Sequence, residues 1–276
     1  MSIKCQIGIH NWDGCECTLC HAKRNKLHDW SEDCEECSRC GRSRKDSHRW
    51  DYDKCSVCGK ERDKNLLGSF TDPRDGHEYK TIRIGKQIWM AENLAWLPDV
   101  SNQDTGSDTV NHRYVYGYEG TIVEAAKANP NYVKYGVLYN WPAAIESCPE
   151  GWHLPDDEEW IILEEFEGMK HLDAERKNMG DRSSGFAGSK LKSGSAWGVD
   201  DDSLNTHGFT ALPGGYRGFD GGFFDLGGYA SFWSATLGKE PEYAWARYLD
   251  HNCRGVFRTN YGYKRGGFSV RCVKNT

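Results

Sequence analysis

The first 58 residues hold nine of the chain's twelve cysteines, and a repeated His-x-Trp runs through them. It occurs at His10-Asn11-Trp12, His28-Asp29-Trp30 and His48-Arg49-Trp50, with the histidines 18 and then 20 residues apart. That spacing marks an internal repeat. Each copy is followed by a Cys-x-x-Cys, at Cys17/Cys20, Cys37/Cys40 and Cys55/Cys58. Two thiolates at that separation, completed by an imidazole, are the donors that tetrahedral zinc takes. Nine thiols and three imidazoles divide evenly into three Cys3His sites. The interior groupings read as Cys15/Cys17/Cys20/His28 and Cys34/Cys37/Cys40/His48. Cys5, His10, Cys55 and Cys58 then close a third site between the ends of the module. Cys15 and Cys17 stand so close together that the division of Cys5, Cys15 and Cys17 among the sites stays open. The alternative is a disulfide cluster of the secreted kind. No leader-like segment stands at the start, so the expectation is a reducing, cytoplasmic setting, with phage encoding equally compatible.

The elements that must position these ligands are short. Residues 1–63 offer little aliphatic material beyond Ile3, Ile7, Ile9, Leu19, Leu27 and Val57. Such a chain cannot offset its ordering entropy by apolar burial alone. Structural zinc typically supplies on the order of 10 kcal/mol, which becomes folding energy. Trp12, Trp30 and Trp50 are expected to pack over their own sites, with nucleic-acid stacking as the sharper alternative. Charge disfavours nucleic acid. Arg39, Arg42, Arg44, Lys45 and Arg49 are interleaved with Glu32, Asp33, Glu35, Glu36, Asp51 and Asp53, and the whole chain carries −6. No basic stripe emerges. The spacings also differ from those of a Cys2His2 finger. A docking or spacing role is the expectation.

After Glu61-Arg62-Asp63-Lys64-Asn65 the composition turns to Gly, Trp, Tyr and Phe. The expected organisation is a zinc module over 1–63, a linker over 64–69 and a second domain over 70–276. Mean hydropathy is −0.77, and no apolar run is long enough to span a membrane. Tyr79, Thr81 and Arg83 alternate with Lys80, Ile82 and Ile84 as in a strand. Asp156 and Glu159 make an Asp variant of the capping box for a helix ended by Gly168. Trp160, Leu163 and Phe166, with Ile161 and Ile162 alongside, form its expected buried face. A shorter helix is expected from Trp141 to Glu146, and residues 98–135 read as a long loop. Beyond residue 180, short apolar pieces separated by glycine predict short twisted strands.

Five segments carry a resemblance in chain order: Trp89-Met90-Ala91-Glu92-Asn93-Leu94, Tyr135 to Trp141, Cys148-Pro149-Glu150-Gly151-Trp152-His153-Leu154-Pro155, Ala211 to Arg217, and Gly267 to Val273. With Phe232-Trp233-Ser234 they closely resemble the Fibrobacter succinogenes major paralogous domain over residues 70–275. That family is similar to the C-type lectin fold, in the branch that includes formylglycine-generating enzymes. The resemblance implies an α+β, C-type-lectin-like domain with two helices and a distorted antiparallel sheet, and no settled activity. It also implies a disulfide between Cys148 and Cys272, against which a reducing compartment would leave two reduced neighbours. Cys253 lies outside the family pattern and reads as a semi-exposed free thiol.

Catalysis has little support in the sequence. The formylglycine-generating branch needs paired cysteines near the C-terminus, whereas Cys253 and Cys272 are 19 apart in unrelated contexts. No nucleophile triad, HExxH or phosphate loop is seen. The acid pairs Asp156/Asp157 and Glu164/Glu165 read as caps and solvated faces. Asp200-Asp201-Asp202 with Asn205 could ligate calcium, although a solvated acidic turn is the simpler reading. Binding has more behind it. Tyr243, Trp245, Tyr248, Asp250, His251, Asn252, Arg254, Phe257, Asn260 and Tyr261 crowd one segment, and aromatics with Arg give contact area at low entropic cost. Arg247 and Arg258 belong to the family frame and read as structural ion pairs.

The same layout resembles the variable region of proteins diversified by diversity-generating retroelements, which display randomised side chains on this kind of fold. The expectation is therefore a non-enzymatic protein whose ligand surface spans residues 243–263, taking a protein, small molecule or glycan. An enzyme of the formylglycine-generating type and nucleic-acid binding through the zinc module are the alternatives. Oligomeric state is left open.

Overall fold

The computed structural model describes residues 59–177, 182–198 and 204–276, together with Trp12–Asp13, Glu16–Cys17, Trp50–Asp51 and residues 53–55. In the N-terminal module the described backbone forms two antiparallel hairpins of one design. Trp12 pairs with Cys17 and Asp13 with Glu16; Trp50 pairs with Cys55 and Asp51 with Lys54. In each, the tryptophan lies opposite the cysteine five residues on, so the first and third copies of the sequence repeat share a backbone register.

Of the twelve expected zinc ligands only Cys17 and Cys55 fall on this described backbone, and Cys55 is buried and in no disulfide. Cys5, His10, Cys15, Cys20, His28, Cys34, Cys37, Cys40, His48 and Cys58 lie outside the described residues. A further bridge joins Lys54 to Glu61, and Arg62 donates its amide to the Asp53 carbonyl at 2.7 Å. The Arg62 side chain is buried against Gly208, where an added Cβ would come within 3.0 Å of the guanidinium.

The second domain begins in a 3-10 turn, Lys64–Leu66, whose start is capped by the Asp63 side chain. The strands, in chain order, are β1 Leu67–Thr71, β2 Glu78–Ile84, β3 Gln87–Met90, β4 Arg113–Tyr114, β5 Leu138–Tyr139, β6 Trp152–His153, β7 Tyr216–Arg217, β8 Phe223–Phe224, β9 Tyr229–Leu237, β10 Tyr243–Asp250, β11 Phe257–Tyr263 and β12 Val273–Lys274. The α-helices are α1 Val123–Lys127, α2 Pro130–Tyr135, α3 Trp141–Ser147, α4 Asp157–Phe166, α5 His171–Ala174 and α6 Ala187–Leu191. One five-stranded sheet has the order β6-β12-β3-β2-β1, and a three-stranded sheet runs β9-β10-β11. All ladder pairs are antiparallel, so the described domain is α+β.

Along β9 successive side chains enter different cores, as strand geometry requires. Trp233 packs with Ala244, Ala246, Phe268 and Val270, whereas Phe232 packs with Trp160, Phe209, Leu249 and Val256. The two sheets are tied by the segment after β11. Phe268 bridges Tyr139, and Ser269 bridges Phe232. Arg271, fully buried, donates to the Asn93 side chain and to the carbonyls of Met90, Phe209 and Thr210. Its guanidinium stands over the Phe209 ring at 4.7 Å. Burial pushes its pKa down to about 9, which leaves the group charged at pH 7.

Cys148, the C-cap of α3, is bonded to Cys272 beside β12 across 124 residues of sequence, as the resemblance implied. The bond sits uneasily with a reducing compartment. Cross-links over loops of this size typically contribute roughly 2–5 kcal/mol by restricting the unfolded chain. The expected result is a thermal midpoint about 4–20 °C lower for the Cys148→Ala/Cys272→Ala pair than for the oxidised protein. An unchanged midpoint in calorimetry would show that packing alone fixes α3 to the last strand.

Three sequence expectations are corrected. Strand β1 pairs residue by residue with β2, so the domain's sheet begins at Leu67, inside the expected linker 64–69. Residues 98–135 contain β4, α1 and α2; α2 is started by Pro130 and by the Asn129 side chain capping Asn131. Helix α4 has the predicted capping box, but its apolar stripe is narrower. Trp160, Ile161 and Leu163 are buried, while Ile162 and Phe166 lie on the solvent side at 43% and 48% exposure.

Candidate functional site

The β10-β11 hairpin has two unlike faces, and they divide the segment singled out by sequence. One face turns toward α4. Arg247 and Arg258 are directly opposite across the hairpin. Like charges facing each other repel unless an anion lies between them, and Asp157 provides it, accepting from Arg247 at 2.7 Å and from two of the three Arg258 nitrogens. Glu164, seven residues further along the same helix face, accepts from Arg247 at 2.7 Å and from Arg182. Other guanidinium protons go to the carbonyls of Asp157, Asp173, Ala174, Glu175 and Val256. Burial alone would raise the Asp157 carboxyl, but the hydrogen bonds and charges of Arg258 and Arg247 outweigh it and hold the group below its ordinary range. The acid pairs therefore split. Asp156 is a cap, whereas Asp157 and Glu164 are buried counter-ions and not a solvated face.

The opposite face carries the cleft. Between β7, the 218–224 turn, β11 and the 266–268 segment lies a depression of about 320 Å³. Its rims are Phe219, Phe224, Tyr261 and Tyr263, exposed at 57, 38, 46 and 38%. Tyr248 and Phe268 form the floor, their ring centroids 5.6 Å apart. Phe219 leans on Tyr263 at 4.6 Å, and Tyr216 on Phe224 at 5.6 Å. The rim is held by Arg217, whose guanidinium stacks on Tyr114 at 4.4 Å and donates to the carbonyls of Gln103, Thr105, Gly218 and Arg265.

Of the predicted surface residues, Tyr248 and Tyr261 line this cleft, and Tyr243 stands behind it against Tyr261 and Tyr263. Trp245 and Asn260 are instead buried, the indole covered by Arg258 at 4.3 Å. Asp250, His251, Asn252 and Arg254 belong to the turn at the far end of the hairpin. There Asp250 accepts from the Tyr229 hydroxyl at 2.7 Å and from the Asn252 amide at 2.9 Å. Arg254 lies over Phe186, and Phe257 is half-buried. The Lys192 ammonium pins this turn by donating to the carbonyls of Asp250 and Cys253. Gly188 permits close approach of α6, since a Cβ there would meet the Gly255 carbonyl at 1.9 Å. Cys253 is semi-exposed, its sulfur accepting from the Gly255 amide. The sequence segment thus separates into a cleft end and a turn end.

Phe219, Phe224 and Asp220 were missed. Their signal was present: aromatics and an acid set among Gly218, Gly221 and Gly222. Neither side of that run is periodic, so nothing in it marks a face. Asn205 is buried with its side-chain oxygen accepting from the Thr210 amide at 2.8 Å, so it serves the turn; Asp200, Asp201 and Asp202 lie outside the described residues. Among the described residues no cluster of metal-ligating side chains occurs, and the Cys-x-x-Cys partners Cys20, Cys40 and Cys58 are not among those residues. A second, more polar cleft lies beside Trp96, whose ring is stacked by Arg74 at 4.0 Å and Arg113 at 4.9 Å.

The motif residues are accounted for by structure. Asn93 and Arg271 clasp each other, Arg217 ties the 103–105 loop, and Asn140 caps α3 while donating to the carbonyls of Ser107 and Val110. They hold the loops and the last strand of the domain in place. The Fibrobacter succinogenes major domain family matches residues 82–274, and the chain belongs to that family. No curated protein and no solved structure matches it. No helix among the described residues is long and apolar enough to cross a membrane.

Proposed function

We propose that the chain is a non-enzymatic ligand-binding protein, and that the aromatic cleft beside β11 is where its ligand sits. One observation carries this reading: four exposed aromatic rings, Phe219, Phe224, Tyr261 and Tyr263, converge on a single concavity. Soluble proteins rarely leave large apolar side chains clustered without a use. The buried carboxylates of α4 are fully committed to arginines, which supports binding over catalysis. The two-sheet arrangement with Cys148 joined to Cys272 favours a C-type-lectin-like scaffold. On such a scaffold the turn residues His251, Asn252 and Arg254 are open to variation of the retroelement type. The N-terminal repeat is read as a docking or spacing module stapled by structural zinc.

The test is aromatic-resolved NMR with a panel of small soluble ligands. Shift changes are expected to gather at Phe219, Phe224, Tyr261 and Tyr263, and Tyr261→Ala with Phe219→Ala should weaken any hit at least about tenfold. Hits gathering at Trp96 would move the site to the second cleft and end this reading.

A further inference from the structure

Resting on the reading that structural zinc staples the N-terminal repeat, we infer that each outer zinc site is built within one hairpin: His10 with Cys17 and Cys20, and His48 with Cys55 and Cys58. This replaces the grouping by succession, in which Cys17 and Cys20 take His28 while Cys55 and Cys58 take His10. Spacing alone does not choose between the two. The cysteines follow each of these histidines by seven and ten residues, but Cys20 to His28 and Cys40 to His48 are equally regular. Backbone register chooses. Trp12 stands opposite Cys17, and Trp50 opposite Cys55. Residues directly opposite on an antiparallel ladder share a face, and so do residues two apart on one strand. A histidine two positions before the tryptophan therefore belongs to the face that carries the cysteine, one diagonal step away. That step is about 7–8 Å between Cα atoms, a span that two side chains close over one metal with bonds of about 2.0–2.3 Å.

The backbone after the second hairpin agrees. The Gly59 amide donates to the Cys55 carbonyl and the Cys55 amide to the Lys60 carbonyl, both at 2.9 Å, with Gly59 at φ 73°. The chain is thus folded back on Cys55, and Cys58 precedes the glycine inside that closed turn. A tight turn of this kind is what lets both thiols of a Cys-x-x-Cys reach one metal. Cys55 is 2% exposed, whereas Asp53 and Lys54 beside it are exposed. The thiol faces inward from a polar strand, as a ligand must. The other copies then sort themselves. His28 with Cys34, Cys37 and Cys40 makes a complete Cys3His set in the middle copy. Cys15 is one of the two residues between the paired Asp13 and Glu16, at the position that Asp53 takes in the second hairpin. It belongs to the hairpin tip, away from His10, so Cys5 completes the first site and Cys15 is left for the third.

The full-length protein should be loaded with cadmium-113 in place of zinc and its metal resonances recorded, one per site. His10→Cys and Cys17→His each keep a ligand at the altered position, so the module stays folded. Both are expected to move the same resonance, and His48→Cys and Cys55→His are expected to move a second one together. If His10→Cys and Cys17→His move different resonances, the hairpin grouping is overturned while the zinc module stands. Metal content gives an independent reading on protein purified with zinc. Removing His10, Cys17 and Cys20 together should lower it from about three atoms per chain to about two. A fall to about one would show the three ligands divided between two sites and would overturn the grouping. If the parent holds neither cadmium nor zinc, the metal reading itself fails.

Discussion

Replacing Glu164 with alanine is expected to destabilise the second domain by about 3–5 kcal/mol, the range for removing one partner of a buried ion pair. The reason is what the change leaves behind. Arg182 and Arg247, both almost fully buried, each lose the carboxylate that separates them. Asp157 alone would then face three guanidiniums. For a domain of this size the thermal midpoint should fall by roughly 6–20 °C. Glu164→Gln keeps the shape and one acceptor, so it should lose less. Replacing Glu164, Arg182 and Arg247 together with apolar residues of similar volume should recover most of the loss, since it removes the uncompensated charge. Calorimetry on the three variants decides the matter, and an alanine variant within about 1 kcal/mol of the parent would falsify the account. Acid should act on the same cluster. The Asp157 pKa is depressed in the fold, so its contribution is complete above the ordinary carboxylate range and is lost as pH falls through the lowered value.

Stripping zinc is expected to have the larger effect, confined to the other end of the chain. Protein purified without added metal should contain about three zinc atoms, one for each Cys3His set. A strong chelator should then unfold residues 1–63, because metal binding on the order of 10 kcal/mol stands in for the apolar core this segment lacks. The second domain should melt unchanged, apart from the contact of Arg62 with Gly208. Metal analysis with thiol titration before and after chelation reads this directly. Ten thiols would titrate in the unfolded chain, the twelve cysteines less the bonded Cys148 and Cys272. Absence of zinc, with most N-terminal cysteines oxidised, would recast the module as a disulfide scaffold.

The legible parts of this chain were those set by local chemistry. The capping box of α4 was visible because Asp156 and Glu159 satisfy helix amides within one turn. The alternation of β2 was visible because Tyr79 and Ile84 must leave water on opposite sides of a pleat. Asp157 and Glu164 were not legible as core. Spaced with Trp160 and Ile161 at positions i, i+3, i+4 and i+7, they lie on the buried stripe, yet carboxylates read singly default to the surface. Arg182 and the arginines arriving from β10 and β11, the latter more than 80 residues away, make their burial tolerable.

The cleft followed the same rule. Sequence marked residues 243–263 as rich in recognition side chains, but a strand alternates, so the richness had to be divided between two faces. Register assigned Arg247 and Arg258 to the ion cluster and Tyr248, Tyr261 and Tyr263 to the opening. The second wall, Phe219 and Phe224, comes from a glycine-rich turn some 40 residues earlier that carries no periodic signal. By itself the sequence determined the Cys/His repeat, the family and the α+β class, because spacing and motif order suffice for these. The tertiary structure alone decided which aromatics meet and which charges cancel, since both depend on residues far apart in the chain being brought within a few ångströms.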